Sequence, residues 1–137
     1  MIHRKERQRA DFVRDPYVAL TVTDLAVSVP FYERVLGSAP ATTMTDGPFT
    51  RRVFALPGGQ GLGLTQHATG STDSFDPTTP GLDHVGLACA NRDELLAWAA
   101  HLDQMGVAHS GVQDAEYGSA LSFTDPDGNA LEFFASA

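Results

Sequence analysis

Residues 123–135 read FTDPDGNALEFFA. The stretch is a strand, a tight turn and a second strand: Asp-Pro and Asp-Gly pairs punctuate turns, and the flanks alternate with the two-residue period of a sheet. One residue in it is unexpected. Glu132 stands among Leu131, Phe133 and Phe134, where a carboxylate gains nothing from packing. Alternation puts Leu131, Phe133 and Ala135 on one face and Ala130, Glu132 and Phe134 on the other. What the second face is for decides what the chain does.

Working outward, the hairpin belongs to a repeat. YVALTVTD (17–24) alternates as a strand and ends on a helix-capping residue, and HVGLACAN (84–91) does the same 67 positions later. Each precedes a helix that closes on glycine, Gly37 in one half and Gly106 in the other. There the offset is 69, and PGGQ (57–60) matches PDGN (126–129) at that same offset. Fixed-period self-similarity is the mark of a duplicated unit. The second helix is expected to be two residues longer, capped by Asn91 with Glu94 three residues on. Its apolar positions Leu95, Trp98, Ala99, Leu102 and Met105 recur on one face as core. In the first half Pro30 fits only a first helical turn, so the regular helix is expected from Ser28 to Leu36.

Three strand-like runs follow each helix, near 39–45, 49–56 and 60–67, then near 107–113, 118–124 and 129–135. The run 68–82, ATGSTDSFDPTTPGL, has linker composition. The organisation is a basic extension (1–15), a first βαβββ module (16–67), a linker (68–82) and a second βαβββ module (83–137). Val18, Leu20 and Val22, like Val85, Leu87 and Cys89, can cover helices. The opposite set, Ala19, Thr21, Gly63, Thr65, Gly86 and Ala88, is small or polar and leaves volume for a ligand. Cys89 reads as a small core residue, and His101 and His109 as solvent-facing.

Composition narrows the function. Charge is −8 overall, but residues 1–14 carry +3 and the remainder −11. A body that acidic repels phosphate backbones, which argues against nucleic-acid partners. No apolar run reaches the roughly 20 residues of a bilayer span, and the N-terminus lacks the apolar core of a secretory signal. One cysteine excludes a disulfide framework and a multi-cysteine zinc site, and fits the reducing cytoplasm. Neither a Ser/His/Asp order nor a phosphate loop is present, and GGQGLG (58–63) opens no helix.

The pattern resembles the vicinal oxygen chelate superfamily of glyoxalases, bleomycin-resistance proteins, fosfomycin-resistance enzymes and extradiol dioxygenases. YVALTVTDLAVSVPFYERVLG (17–37), GLDHVGLACANRDELLAWAAHLDQMGV (81–107) and YGSALSFTDPDGNALEFFA (117–135) carry the resemblance. It implies an α+β fold, two βαβββ modules forming an open, concave mixed β-sheet barrel with helices outside, in a homodimer. Metal-dependent members draw ligands from the start of the first strand and the middle of the fourth strand of each module. Carried over, the second module offers His84 and Glu132 to one divalent metal (Zn, Ni, Mn or Fe). The first departs from the pattern, with Tyr17 and Gly63 at the matching positions. Thr65 and His67 share the face of Gly63 but lie about 7 and 13 Å along the strand. Tyr17, Thr65, His67 and Phe134 are the candidates for contact with a small-molecule ligand in the cavity. Two readings stay open: a sequestering protein or divergent enzyme without metal, and a metal-dependent lyase or dioxygenase using His84 and Glu132.

Overall fold

A computed structural model describes residues 17–137, so the basic extension over residues 1–15 lies outside the described residues. The order is β1 (Tyr17–Thr21), α1 (Leu25–Leu36), β2 (Thr42–Asp46), β3 (Phe49–Ala55), β4 (Gly61–His67), β5 (Val85–Ala88), α2 (Arg92–Gln104), β6 (Gln113–Ala115), β7 (Gly118–Thr124) and β8 (Ala130–Ser136). Two four-stranded mixed sheets result, β1-β4-β3-β2 and β5-β8-β7-β6. β1 and β4 run parallel, as do β5 and β8, and the other pairs are antiparallel. Neither sheet closes, and each keeps one open face. This is the duplicated α+β architecture that the repeat implied.

The helices begin where the caps stand. The Asp24 carboxylate accepts from the Ala26 N–H, and the Asn91 side chain accepts from the Glu94 N–H. In α1 the expected start at Ser28 is three residues late. Pro30 is the sixth helical residue, beyond the first turn, and its ring faces solvent. The helix tolerates it because Val29, Phe31, Tyr32 and Val35 are buried on the opposite side, and packing outweighs the lost backbone bond. The second helix is one residue longer than the first (13 against 12), not two. Met105 takes up the remaining shift as the cap residue before Gly106, whose φ of +69° suits only glycine well.

The run expected as a strand over 107–113 pairs regularly only over Gln113–Ala115. Before it, a single bridge joins His109 to Phe123, and Gly111 sits at φ +72°. That left-handed turn breaks the alternation. Nor do His101 and His109 face solvent as expected. Nε2 of His101 lies 3.0 and 3.2 Å from the carbonyls of Arg34 and Val35 at the end of α1. The His109 ring meets the Asp103 carboxylate at 2.7 Å and accepts from the Gly111 N–H.

Leu20, Leu62, Leu64 and Phe54 of the first sheet and Leu121, Phe123, Leu131 and Phe133 of the second are all buried. They join Leu95 and Leu102 of α2 and the buried face of α1 in one core that spans both modules. Each buried aliphatic or aromatic side chain contributes about 1.5–3 kcal/mol. The DPDGN turn then fastens the modules. Asp125 accepts from the Tyr32 hydroxyl (2.8 Å), the Asp127 and Asn129 amides (2.9 and 2.8 Å) and the Asn129 side chain (2.9 Å). Asp127 takes both the amide and the hydroxyl of Thr23, at 3.0 and 2.6 Å. The connecting segment is pinned to the same turn through the Phe75 amide and the Asp127 carbonyl (2.8 Å).

Candidate functional site

Strand register decides which side chains share the open face of the second sheet. Gly86 pairs with Glu132, and Ser122 with Glu132, so these three residues lie side by side. Gly86 leaves room: a Cβ there would meet nothing within 4 Å. His84, two residues before Gly86, projects to the same side, and its Nε2 stands 3.9 Å from Glu132 Oε2. That is too long for a hydrogen bond. The two groups border a hollow of about 410 Å³, lined also by Asp83, Ser122, Thr124 and Ala130. Asp83 Oδ1 lies 2.8 Å from His84 Nδ1 and turns the ring. With its proton on Nδ1, against the Asp83 carboxylate, the neutral ring leaves Nε2 as an acceptor. In that tautomer the hollow presents two acceptors, an imidazole nitrogen and a carboxylate oxygen, within reach of one guest.

Such a pair also invites a cation. Histidine ligands of metals are commonly oriented by a carboxylate behind them, and Asp83 stands in that relation to His84. The donor set stops at two, however. Catalytic zinc and the facial iron triad use three protein ligands, and among the described residues no group of three or more His, Cys, Asp or Glu could hold an ion. Tyr17 and Gly63, at the matching positions of the first module, supply no such donor. Among the described residues the side chains do not complete a metal site.

The other candidates are scattered. Tyr17 is 61% exposed at the sheet edge. Thr65 is buried under Arg51, whose Nε donates to its hydroxyl at 2.8 Å. His67 is exposed, its ring 6.1 Å from that of Phe49. Phe134 is half-buried on the face of Glu132 and stacks on the exposed ring of Tyr117, with centroids 6.3 Å apart. Sequence reasoning missed Arg51 and Tyr117. For Tyr117 the signal was its place in the turn just ahead of β7.

A larger groove of about 980 Å³ runs between the modules on the helix side, past Leu36, Leu56, Cys89, Glu94, Trp98 and His101. Its two titratable polar side chains, Glu94 and His101, already have partners. Glu94 accepts from the Ala90 amide as part of the helix cap, and His101 is spent on the α1 carbonyls. Burial, then the Glu94 charge, push the Cys89 thiol above its ordinary pKa, which makes it a poor nucleophile.

The family model of the glyoxalase/bleomycin resistance protein/dioxygenase superfamily matches residues 14–133. Among solved structures, a glyoxylase/bleomycin resistance protein/dioxygenase domain from Frankia sp. EAN1pec is 32% identical, with TM-score 0.81 over 88% of this chain and 95% of that one. A glyoxalase family protein from Enterococcus faecalis has the same fold at 20% identity, with TM-score 0.69 over 86% and 94%. So has a variant of the fosfomycin resistance protein FosX from Listeria monocytogenes, complexed with Mn(II) and dihydroxypropylphosphonic acid, at 16% identity, with TM-score 0.65 over 91% and 90%. No curated protein matches the chain.

Proposed function

The chain belongs to the glyoxalase/bleomycin resistance protein/dioxygenase superfamily, and from that premise we propose that it binds a small organic molecule over its open sheet faces, with His84 and Glu132 orienting it. The observation that carries this reading is the pair itself, a half-exposed imidazole and a mostly covered carboxylate 3.9 Å apart on the rim of one hollow. In the tautomer with the proton on Nδ1, beside Asp83, both groups accept, and the matching guest offers a donor: a hydroxyl, a vicinal diol or a protonated amine. Sequestration asks no more of the protein than this. A divergent enzyme would add proton removal by Glu132 at the same place. We further read the chain as a cytoplasmic homodimer that binds neither nucleic acid nor membrane. Its acidic body supports the first exclusion, and no helix among the described residues is long and apolar enough to cross a bilayer.

The second reading, a divalent-metal-dependent lyase or dioxygenase, is favoured by one observation, the carboxylate behind the histidine. His84 and Glu132 would then be two of the ligands, and the ion would polarise a substrate oxygen. Thermal shift and calorimetry against a panel of diols, hydroxyketones and amines, with and without Mn(II), Ni(II), Zn(II) or Fe(II), test both. Binding that weakens about 10–100-fold in Glu132→Gln or His84→Ala supports the site, as expected for loss of a charge-assisted hydrogen bond. If that binding survives EDTA the first reading holds, and if EDTA abolishes it the second does. A double variant indistinguishable from the parent across the panel would sink both.

A further inference from the structure

Beyond residue 14 the chain carries four basic side chains against fifteen acidic ones, and one of the four stands on the open face of the first sheet. Register sets it there. Arg51 pairs with Thr65 on β4 and with Met44 on β2, and directly opposed residues share a face. The side chain lies flat. Its stem crosses Gly63, where a Cβ would come within 3.2 Å of Arg51 Cδ. Its Nε donates to the Thr65 hydroxyl at 2.8 Å, and its guanidinium carbon sits 4.8 Å from the centre of the Phe49 ring. Gly63 lets the arginine lie down, Thr65 fixes its rotation and Phe49 carries its plane.

What remains is the outer edge of the guanidinium. Among the described residues no acceptor takes its two terminal amino groups, and no carboxylate pairs with it. A guanidinium held still with its fork unspent is preorganised for a planar or tetrahedral oxyanion. The duplicated module sharpens the contrast. The residue 69 positions after Gly63 is Glu132, and the one 69 positions after Arg51 is Ala120. Neither charge is repeated: the first module has glycine where the second has the carboxylate, and the second has alanine where the first has the cation.

We propose that the open face of the first sheet is an oxyanion subsite, in which Arg51 holds the carboxylate or phosphonate-type head of a small organic acid beside Phe49 and His67. The proposal rests on the small-molecule reading above and supplies its ligand class. The test is a nitrogen-15 NMR titration of the full chain with phenylphosphonate, benzoate and the uncharged benzamide. Both anions are expected to move the amide signals of Gly63, Thr65 and Phe49, with benzamide weaker by about tenfold or more. Arg51→Gln is expected to weaken both anions by about tenfold, and Thr65→Val, which frees the guanidinium to rotate, by a few-fold. Preference for phenylphosphonate assigns a tetrahedral head, and preference for benzoate a planar one. Benzamide binding as tightly as benzoate, unchanged anion affinity in Arg51→Gln, or no shifts at these residues up to ~10 mM anion overturns the proposal. If the anions bind through Arg51 while every ligand in the His84 and Glu132 assay is ignored, the earlier reading falls and this one stands. The converse result ends this one alone.

Discussion

Asp125 and Glu132 are seven residues apart on the same hairpin and have opposite fates. Asp125 is 5% exposed and spends its oxygens on Tyr32, Asp127 and Asn129, whereas Glu132 accepts no hydrogen bond among the described residues. Burial, reinforced by the Asp125 charge, pushes the Tyr32 hydroxyl far above the ordinary tyrosine range, so it remains a neutral donor. Tyr32→Phe is expected to cost about 1–3 kcal/mol in urea unfolding, since it leaves a buried carboxylate short of one partner. Asp125→Ala, which strips the turn of its side-chain bonds and leaves only the backbone ones, is expected to cost more, about 3 kcal/mol or above. Equal midpoints for Tyr32→Phe and the parent would contradict the clasp. In the sequence Glu132 stood out because a polar residue interrupts an apolar strand, and that signal is local. Asp125 looked like ordinary turn chemistry, and no periodicity reveals that its turn meets a tyrosine 93 residues away. Arg51 escaped for another reason. Arg51 and Arg52 are adjacent in a strand of mixed polarity, so alternation could not say which of them faces the helix.

At the scale of elements, α1 and β6 show tertiary contacts overriding local preference. Pro30 costs α1 a backbone bond and crowds the carbonyl of Ala26, and the residue is exposed. Replacing it with alanine is expected to raise stability by about 1–3 kcal/mol, the helix-interior penalty of proline less the entropy it removes from the unfolded chain. A lower midpoint would mean that the ring itself packs. β6 is three residues long, and its hold on the helix layer is an ion pair. Arg92, the first residue of α2, donates to both oxygens of Asp114 at 2.9 and 3.1 Å. Those bonds, then one from Ser119, hold the Asp114 carboxyl down at about 2. Because the folded value lies below the ordinary 3.8, the stabilisation is present in full above about pH 4 and is lost as pH falls through about 2. The stability curves of the parent and Arg92→Gln should therefore differ at neutral pH and converge at about pH 2. Both groups are exposed, so salt should narrow the gap. The strand before β7 was misread because Gly111 supplies a left-handed turn that apolar content cannot reveal.

For the molecule as a whole, the duplication was legible because it repeats capping residues, closing glycines and turns at fixed offsets. The dependence between the halves was not, because offsets describe each module by itself. In the structure one core passes through both, and Asp125, Asp127 and Asn129 of the second module bind Tyr32, Thr23 and Thr21 of the first. Modules of about fifty residues bury too little surface to be robust alone, so each should lean on the other. Trp98 makes this testable, because it is the single tryptophan and stacks on Phe133 inside the second module, with ring centres 4.2 Å apart. Leu64 is fully buried beneath α1 in the first module, and truncating it to alanine should cost about 2–5 kcal/mol. If the modules unfold as one cooperative unit, that whole loss appears in the Trp98 fluorescence transition, although the lesion lies in the other half. Independent modules would leave the Trp98 midpoint where it was and split the far-UV transition in two.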